Sequence, residues 1–327
     1  MTHPSLPAVP DADDVRALAR SSPWRWRSVR FTVRWTRDLA AAPVRAWVAR
    51  PASLRVEGLD GTLVEAGVEQ RGQSARFQLV LAGDGGRMAE RYRDAPEAAP
   101  AVEAVPARDV GPDRAPAPGL SSEQGSVSGP AKAPAIAWVS DLDPVPAGFP
   151  GAPPGDEPVF RPDGLVARRP WLLRTEADAP MHQDYRWVAM LDPLELAEPF
   201  HAHPDEAEPA TELTEVAVVD HHGRPAWEAV VRTLPGYDPR CSCCPLLGSA
   251  EADAREAEGG APPRRPTGFA YPDAFRVRLD VGTGICVYTE ELGGTRPGTG
   301  HDLTLEEVDA DMPADLFTTP RTRGWRR

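Results

Sequence analysis

From Val29 onward the apolar positions recur with a period of two. Val29, Phe31, Val33 and Trp35 share one side, while Arg30, Thr32 and Arg34 take the other, the pattern of a strand with one covered face. The alternation returns over Val44 to Ala49, Leu54 to Glu57 and Thr62 to Ala66, the last two joined by the two-residue turn Asp60-Gly61, and it continues in Arg76 to Leu81. In the C-terminal third it predicts strands over Leu213 to Asp220, Pro225 to Leu234, Phe275 to Val281, Ile285 to Thr289 and Leu303 to Val308. His221 to Arg224 and Asp280 to Gly284 serve as turns. Helical spacing is rarer. Asp11 ahead of Val15, Leu18 and Ala19 predicts a short amphipathic helix that ends near Ser21-Ser22-Pro23. Asp192-Pro193-Leu194-Glu195 sets a cap, an N1 proline and a reciprocal capping acid in register for a second helix. Strand after strand with few helices implies an α+β fold, one antiparallel sheet whose apolar face something must cover.

Composition divides this sheet in two. Of 38 prolines, 15 lie between Pro96 and Pro162, among Ala, Gly, Glu and Ser, too little apolar area to offset chain ordering. Residues 83–155 are therefore expected to be a largely disordered insert, with Trp138-Val139 as a small docking site inside it. The expected organisation is a first half-sheet with its helix over 1–82, the insert, a second half-sheet over 156–320 with a disordered loop at 251–266, and a tail over 321–327. The charge, 36 basic against 49 acidic residues or −13, argues against a nonspecific nucleic-acid or anionic-membrane partner. No apolar run approaches a membrane span, and the first residues carry no export leader, so the expected setting is soluble and cytoplasmic. Four cysteines there are expected as thiols or metal ligands rather than a disulfide framework.

Arg50-Pro51-Ala52-Ser53-Leu54-Arg55-Val56-Glu57 followed by Asp60-Gly61 resembles the opening of the lipoprotein-carrier-like proteins, the LolA and RseB/MucB group. Arg278-Leu279-Asp280 with Thr283-Gly284, and the terminal Asp311 to Phe317, look like that group's late strands and tail. The resemblance covers about half the chain outside the insert. It implies an open, curved antiparallel half-barrel with short helices in its concavity, and a nonenzymatic role: an apolar small molecule or a protein segment held in the hollow. The residues expected to line it are Val29, Phe31, Val33, Trp35, Trp47, Leu54, Val56, Phe275, Val277 and Leu279. The missing leader and the insert depart from the group, so the fold carries over more readily than the role.

Candidate chemistry centres on Cys241-Ser242-Cys243-Cys244, whose thiolates are candidates for Zn²⁺ or Cu⁺, and no other cofactor is implied. The spacing departs from the paired Cys-x₂₋₄-Cys of structural zinc sites. Cys286 and one of His201, His203, His221 or His222 are the candidates to complete four ligands. The alternatives are a redox-sensitive loop or small residues packed in a turn. His201 and His203 would point to one side of an extended segment and His221 and His222 to opposite sides, and neither pair has the i, i+4 spacing of a zinc helix. No phosphate-binding glycine loop or nucleophile elbow is present, and the carboxylates of Asp192 and Glu195 are accounted for by capping.

Overall fold

The computed structural model describes residues 6–36, 42–68, 157–170, 178–201, 209–262 and 265–319. All lie in one of the chain's two units, Met1–Ala82 with Leu142–Arg327. The expected insert over 83–155, the strand expected over Arg76 to Leu81, and Trp138-Val139 fall outside the described residues.

In chain order the strands are β1 (Ser28–Thr36), β2 (Val44–Ala49), β3 (Ser53–Gly58), β4 (Leu63–Val68), β5 (Val159–Phe160), β6 (Val166–Arg168), β7 (Thr211–His221), β8 (Arg224–Thr233), β9 (Ala274–Asp280), β10 (Cys286–Leu292) and β11 (Gly300–Val308). Nine of them form one antiparallel sheet in the order β4-β3-β2-β1-β11-β10-β9-β8-β7, while β5 and β6 make a separate hairpin. The fold is thus α+β with a large curved sheet that does not close into a barrel. Register explains the alternation read from the sequence. Phe31 sits opposite Ala46 and Leu305, Val33 opposite Val44 and Leu303, and Ala46 opposite Val56, so these apolar side chains fall on one face. Irregular pairings at Arg30/Phe31, Val56/Glu57 and Thr214/Ala217 bend the strands they interrupt.

Among the described residues three α-helices accompany the sheet: α1 (Ala12–Arg25), α2 (Tyr185–Leu191) and α3 (Ala250–Glu258). Asp11 caps α1 by accepting from the amides of Asp13 and Asp14, and Asp14 returns the bond to the Asp11 amide. The helix runs a turn past its expected end at Ser21 to Pro23, because both serines turn inward. Ser21 Oγ donates to Ala17 O and accepts from Val166 N, and Ser22 Oγ donates to Leu191 O. The second helix is also corrected. Residues Tyr185–Leu191 form α2, Asp192 closes it, and only a single 3-10 turn follows at Leu194–Leu196. The loop expected over 251–266 contains α3, started by Ser249 Oγ accepting from Ala252 N at 3.3 Å. The residues Asp311 to Phe317 end in a 3-10 turn whose Leu316 carbonyl accepts from Arg55 Nη1 at 2.9 Å.

The β9–β10 turn presses on α1 at Gly284. Its φ is +73°, and a Cβ there would stand 2.7 Å from the Leu18 carbonyl oxygen. Gly284→Ala is expected to cost about 1–3 kcal/mol in urea denaturation, from left-handed strain together with the displaced helix. An unchanged midpoint would contradict that packing.

Candidate functional site

The covered face holds most of the residues expected to line a hollow, and the protein's own side chains fill it. Val29, Phe31, Val33, Leu54, Val56, Phe275, Val277 and Leu279 are all buried in one core with Val15 and Leu18 of α1 and Trp187 of α2. Phe31 packs on Trp187 with ring centroids 5.2 Å apart. Trp35 is partly buried beside a space of about 20 Å³ that also touches Phe275, Glu291 and His301, room for about one water. Trp47 is half-buried and points to the opposite face, since its neighbours Ala46 and Val48 take the covered side. The face also carries charge. Glu65 meets His182 Nδ1 at 2.5 Å, the imidazole stands edge-on to Trp187, and His182 Nε2 is buried without a hydrogen-bond partner.

A buried ion network ties the covering layer together. Asp192 binds Arg169 through both of its oxygens, and its Oδ2 also accepts from Arg240 Nη2 at 2.9 Å. Arg240 Nη1 reaches the Asp192 carbonyl at 3.2 Å. Arg50, half-buried, lies 4.0 Å over the Trp26 ring, and burial of its guanidinium lowers its pKa to about 10. Burial alone would raise the Asp192 pKa, but Arg169 and Arg240 outweigh it and hold the carboxyl below its ordinary range. Asp192 thus anchors guanidinium groups, where the sequence suggested a helix cap.

Glu195, also read as a cap, does something different. It is 1 % exposed, and its Oε1 accepts from Tyr237 Oη at 2.6 Å and Leu246 N at 2.7 Å, while Oε2 accepts from Arg240 N at 3.3 Å. One carboxylate therefore grips the backbone on both sides of Cys241 to Cys244. Arg186 Nε adds a bond to Pro245 O at 3.1 Å. Between these holds the cysteines occupy a β-turn, closed by Cys244 N donating to Cys241 O at 3.3 Å.

That turn overcomes the spacing that looked wrong for a metal. Residues one, three and four of a tight turn present their side chains together, and the three sulfurs lie within 4.8 Å of one another. Cys241 Sγ and Cys243 Sγ are 2.9 Å apart, and Cys243 and Cys244 3.6 Å. Cys243 is exposed, while Cys241 and Cys244 are half-buried. Hydrogen bonds from Cys244 and then Cys243 favour a thiolate on Cys241 and lower its pKa to about 5. Supplying that bond, with burial, pushes the Cys244 thiol well up.

The donors expected to complete four ligands lie elsewhere. Cys286 is buried in β10, where its thiol donates to Tyr288 O. His201 Nδ1 pairs with Asp238 at 3.2 Å, and His203 lies outside the described residues. His221 and His222 were expected to diverge, but both imidazoles turn to Asp302, because His222 takes a left-handed φ of 52° in the β7–β8 turn. His222 Nε2 approaches Asp302 Oδ1 at 2.7 Å. His221 is engaged on both nitrogens, with Leu303 O at 3.1 Å and Arg278 Nη1 at 3.3 Å, and burial lowers its pKa.

Compared with known proteins, the chain matches no family model, no curated protein and no solved structure. Among the described residues no helix is long and apolar enough to cross a membrane.

Proposed function

We propose that this chain is a soft-metal-binding protein that carries its ion in the Cys241 to Cys244 turn, with the open sheet as a rigid mount. The observation that supports this reading is the meeting of three sulfurs on a backbone fixed at both ends. Metal ligation would use all three, whereas a disulfide would use two and strand the third. A reducing cytoplasm, the setting proposed here, keeps such thiols available. The half-barrel of the lipoprotein-carrier-like group remains the proposed kinship of the scaffold. An apolar cargo would first have to lift α1 and α2 from the core around Phe31 and Leu54, so the thiol turn is the better supported site.

Elemental analysis tests the proposal. Reduced protein incubated anaerobically with Zn²⁺ or Cu⁺ and then desalted is expected to retain about one ion per chain, and the variant with Cys241→Ser, Cys243→Ser and Cys244→Ser about none. Equal retention by the two proteins, or none by either, would reject it.

A further inference from the structure

The donors around the turn narrow the ion, an inference that rests on the metal-binding reading above. We propose that Cys241, Cys243 and Cys244 form a three-coordinate, all-sulfur site that takes Cu⁺ in preference to Zn²⁺. Among the described residues the cluster contains these three sulfurs and no histidine or carboxylate. Zn²⁺ in structural sites is almost always tetrahedral, and three thiolates leave it one ligand short. Cu⁺ is selected by soft thiolates and is content with three of them.

The neighbouring donors are committed to other work. Asp184, whose charge bears on Cys244, caps α2 by accepting from Arg186 N at 3.0 Å. Glu195 accepts from Tyr237, Arg240 and Leu246, so turning it toward an ion would release the turn it holds. His201 is paired with Asp238 through both its amide and its ring. Cys286 is enclosed in the sheet. A turn gripped at residues 240 and 246 cannot open far to recruit a distant fourth ligand, so its geometry selects by coordination number.

Exposure sets the route of entry. Cys243, the exposed sulfur, meets the ion first and the half-buried Cys241 and Cys244 follow. With Cu⁺ supplied by a low-molecular-weight thiolate, each carrier Cu–S bond breaks as a protein Cu–S bond forms. The protons displaced from the cysteine thiols pass to the departing carrier thiolates. No electron moves, and the copper remains monovalent.

The test is competition in anaerobic, reduced full-length protein. Cu⁺ is titrated against the chromogenic chelator bicinchoninate and Zn²⁺ against a zinc indicator, and X-ray absorption at the copper edge counts the ligands. Expected are retention of one equivalent of Cu⁺ against the chelator, displacement of preloaded Zn²⁺ by equimolar Cu⁺, and sulfur-only scattering. Cys243→Ser should weaken Cu⁺ by more than the roughly 10–100-fold that an outer-shell change costs. Zn²⁺ that survives equimolar Cu⁺, or a nitrogen or oxygen ligand on copper, overturns this inference and leaves the metal-binding reading standing. Failure to hold either ion, or Cu⁺ held equally by the triple serine variant, removes both.

Discussion

Replacing Asp192 by asparagine is expected to destabilise the fold by about 3–5 kcal/mol, the usual loss when one partner of a buried ion pair is removed. The side chains involved are fully enclosed: Arg169 and Asp192 are 0 % exposed and Arg240 2 %. The asparagine would keep the shape and lose the charge, so Arg169 and Arg240 would remain buried beside a neutral amide. Urea denaturation, compared at equal slope, measures the loss. A change below about 1 kcal/mol, the scale of exposed pairs, would mean that water reaches the guanidinium groups. A neutral result for a shape-matched apolar replacement of the whole network, an outcome known for other buried pairs, would show that packing and not charge fixes the layer.

The second large effect is a loss of stability in mild acid that traces to His301. This imidazole is 1 % exposed, with Nε2 2.8 Å from Cys286 O and Nδ1 2.9 Å from Thr289 Oγ1. Burial lowers its pKa to about 4. The unfolded chain takes a proton near the ordinary imidazole value of about 6.5, while the folded chain resists it until about 4. The stabilisation is therefore complete above about pH 6.5 and is lost as pH falls toward 4, by about 3 kcal/mol over the whole interval. His221 acts in the same direction, but it is less deeply enclosed. Denaturation midpoints at pH 7 and pH 4.5 should differ clearly in the parent protein and less in His301→Gln. An equal difference in the two would show that His301 takes up its proton at the same pH in the folded chain as in the unfolded one.

The strands could be read from the sequence because a sheet with one covered face imposes strict alternation, and Val29 to Trp35 and Phe275 to Val281 obey it. Trp47 shows where bulk misleads: the parity of Val44, Ala46 and Val48 already sends it outward. Helix α3 was hidden because its alanines and acids resemble the composition of the Pro-rich segment, and only Ser249 marked its start. The thiol turn was half visible. The cysteines announced themselves, but their convergence depends on a turn held on both sides by Glu195, whose acceptor work lies 42, 45 and 51 residues downstream. No local pattern carries contacts of that range, and a carboxylate after a proline near a helix end reads as a cap.

The pairing of β1 with β11 bears on how the chain is born. Among the described residues it is the sole seam between the meander of β1 to β4 and that of β7 to β11, and it joins residue 31 to residue 305. A ribosome releases Phe31 long before Leu305, so the early meander waits with one side bare until nearly the last strand emerges. Nascent protein is accordingly exposed to edge-to-edge association for most of its synthesis, and completion of the sheet is slow and late.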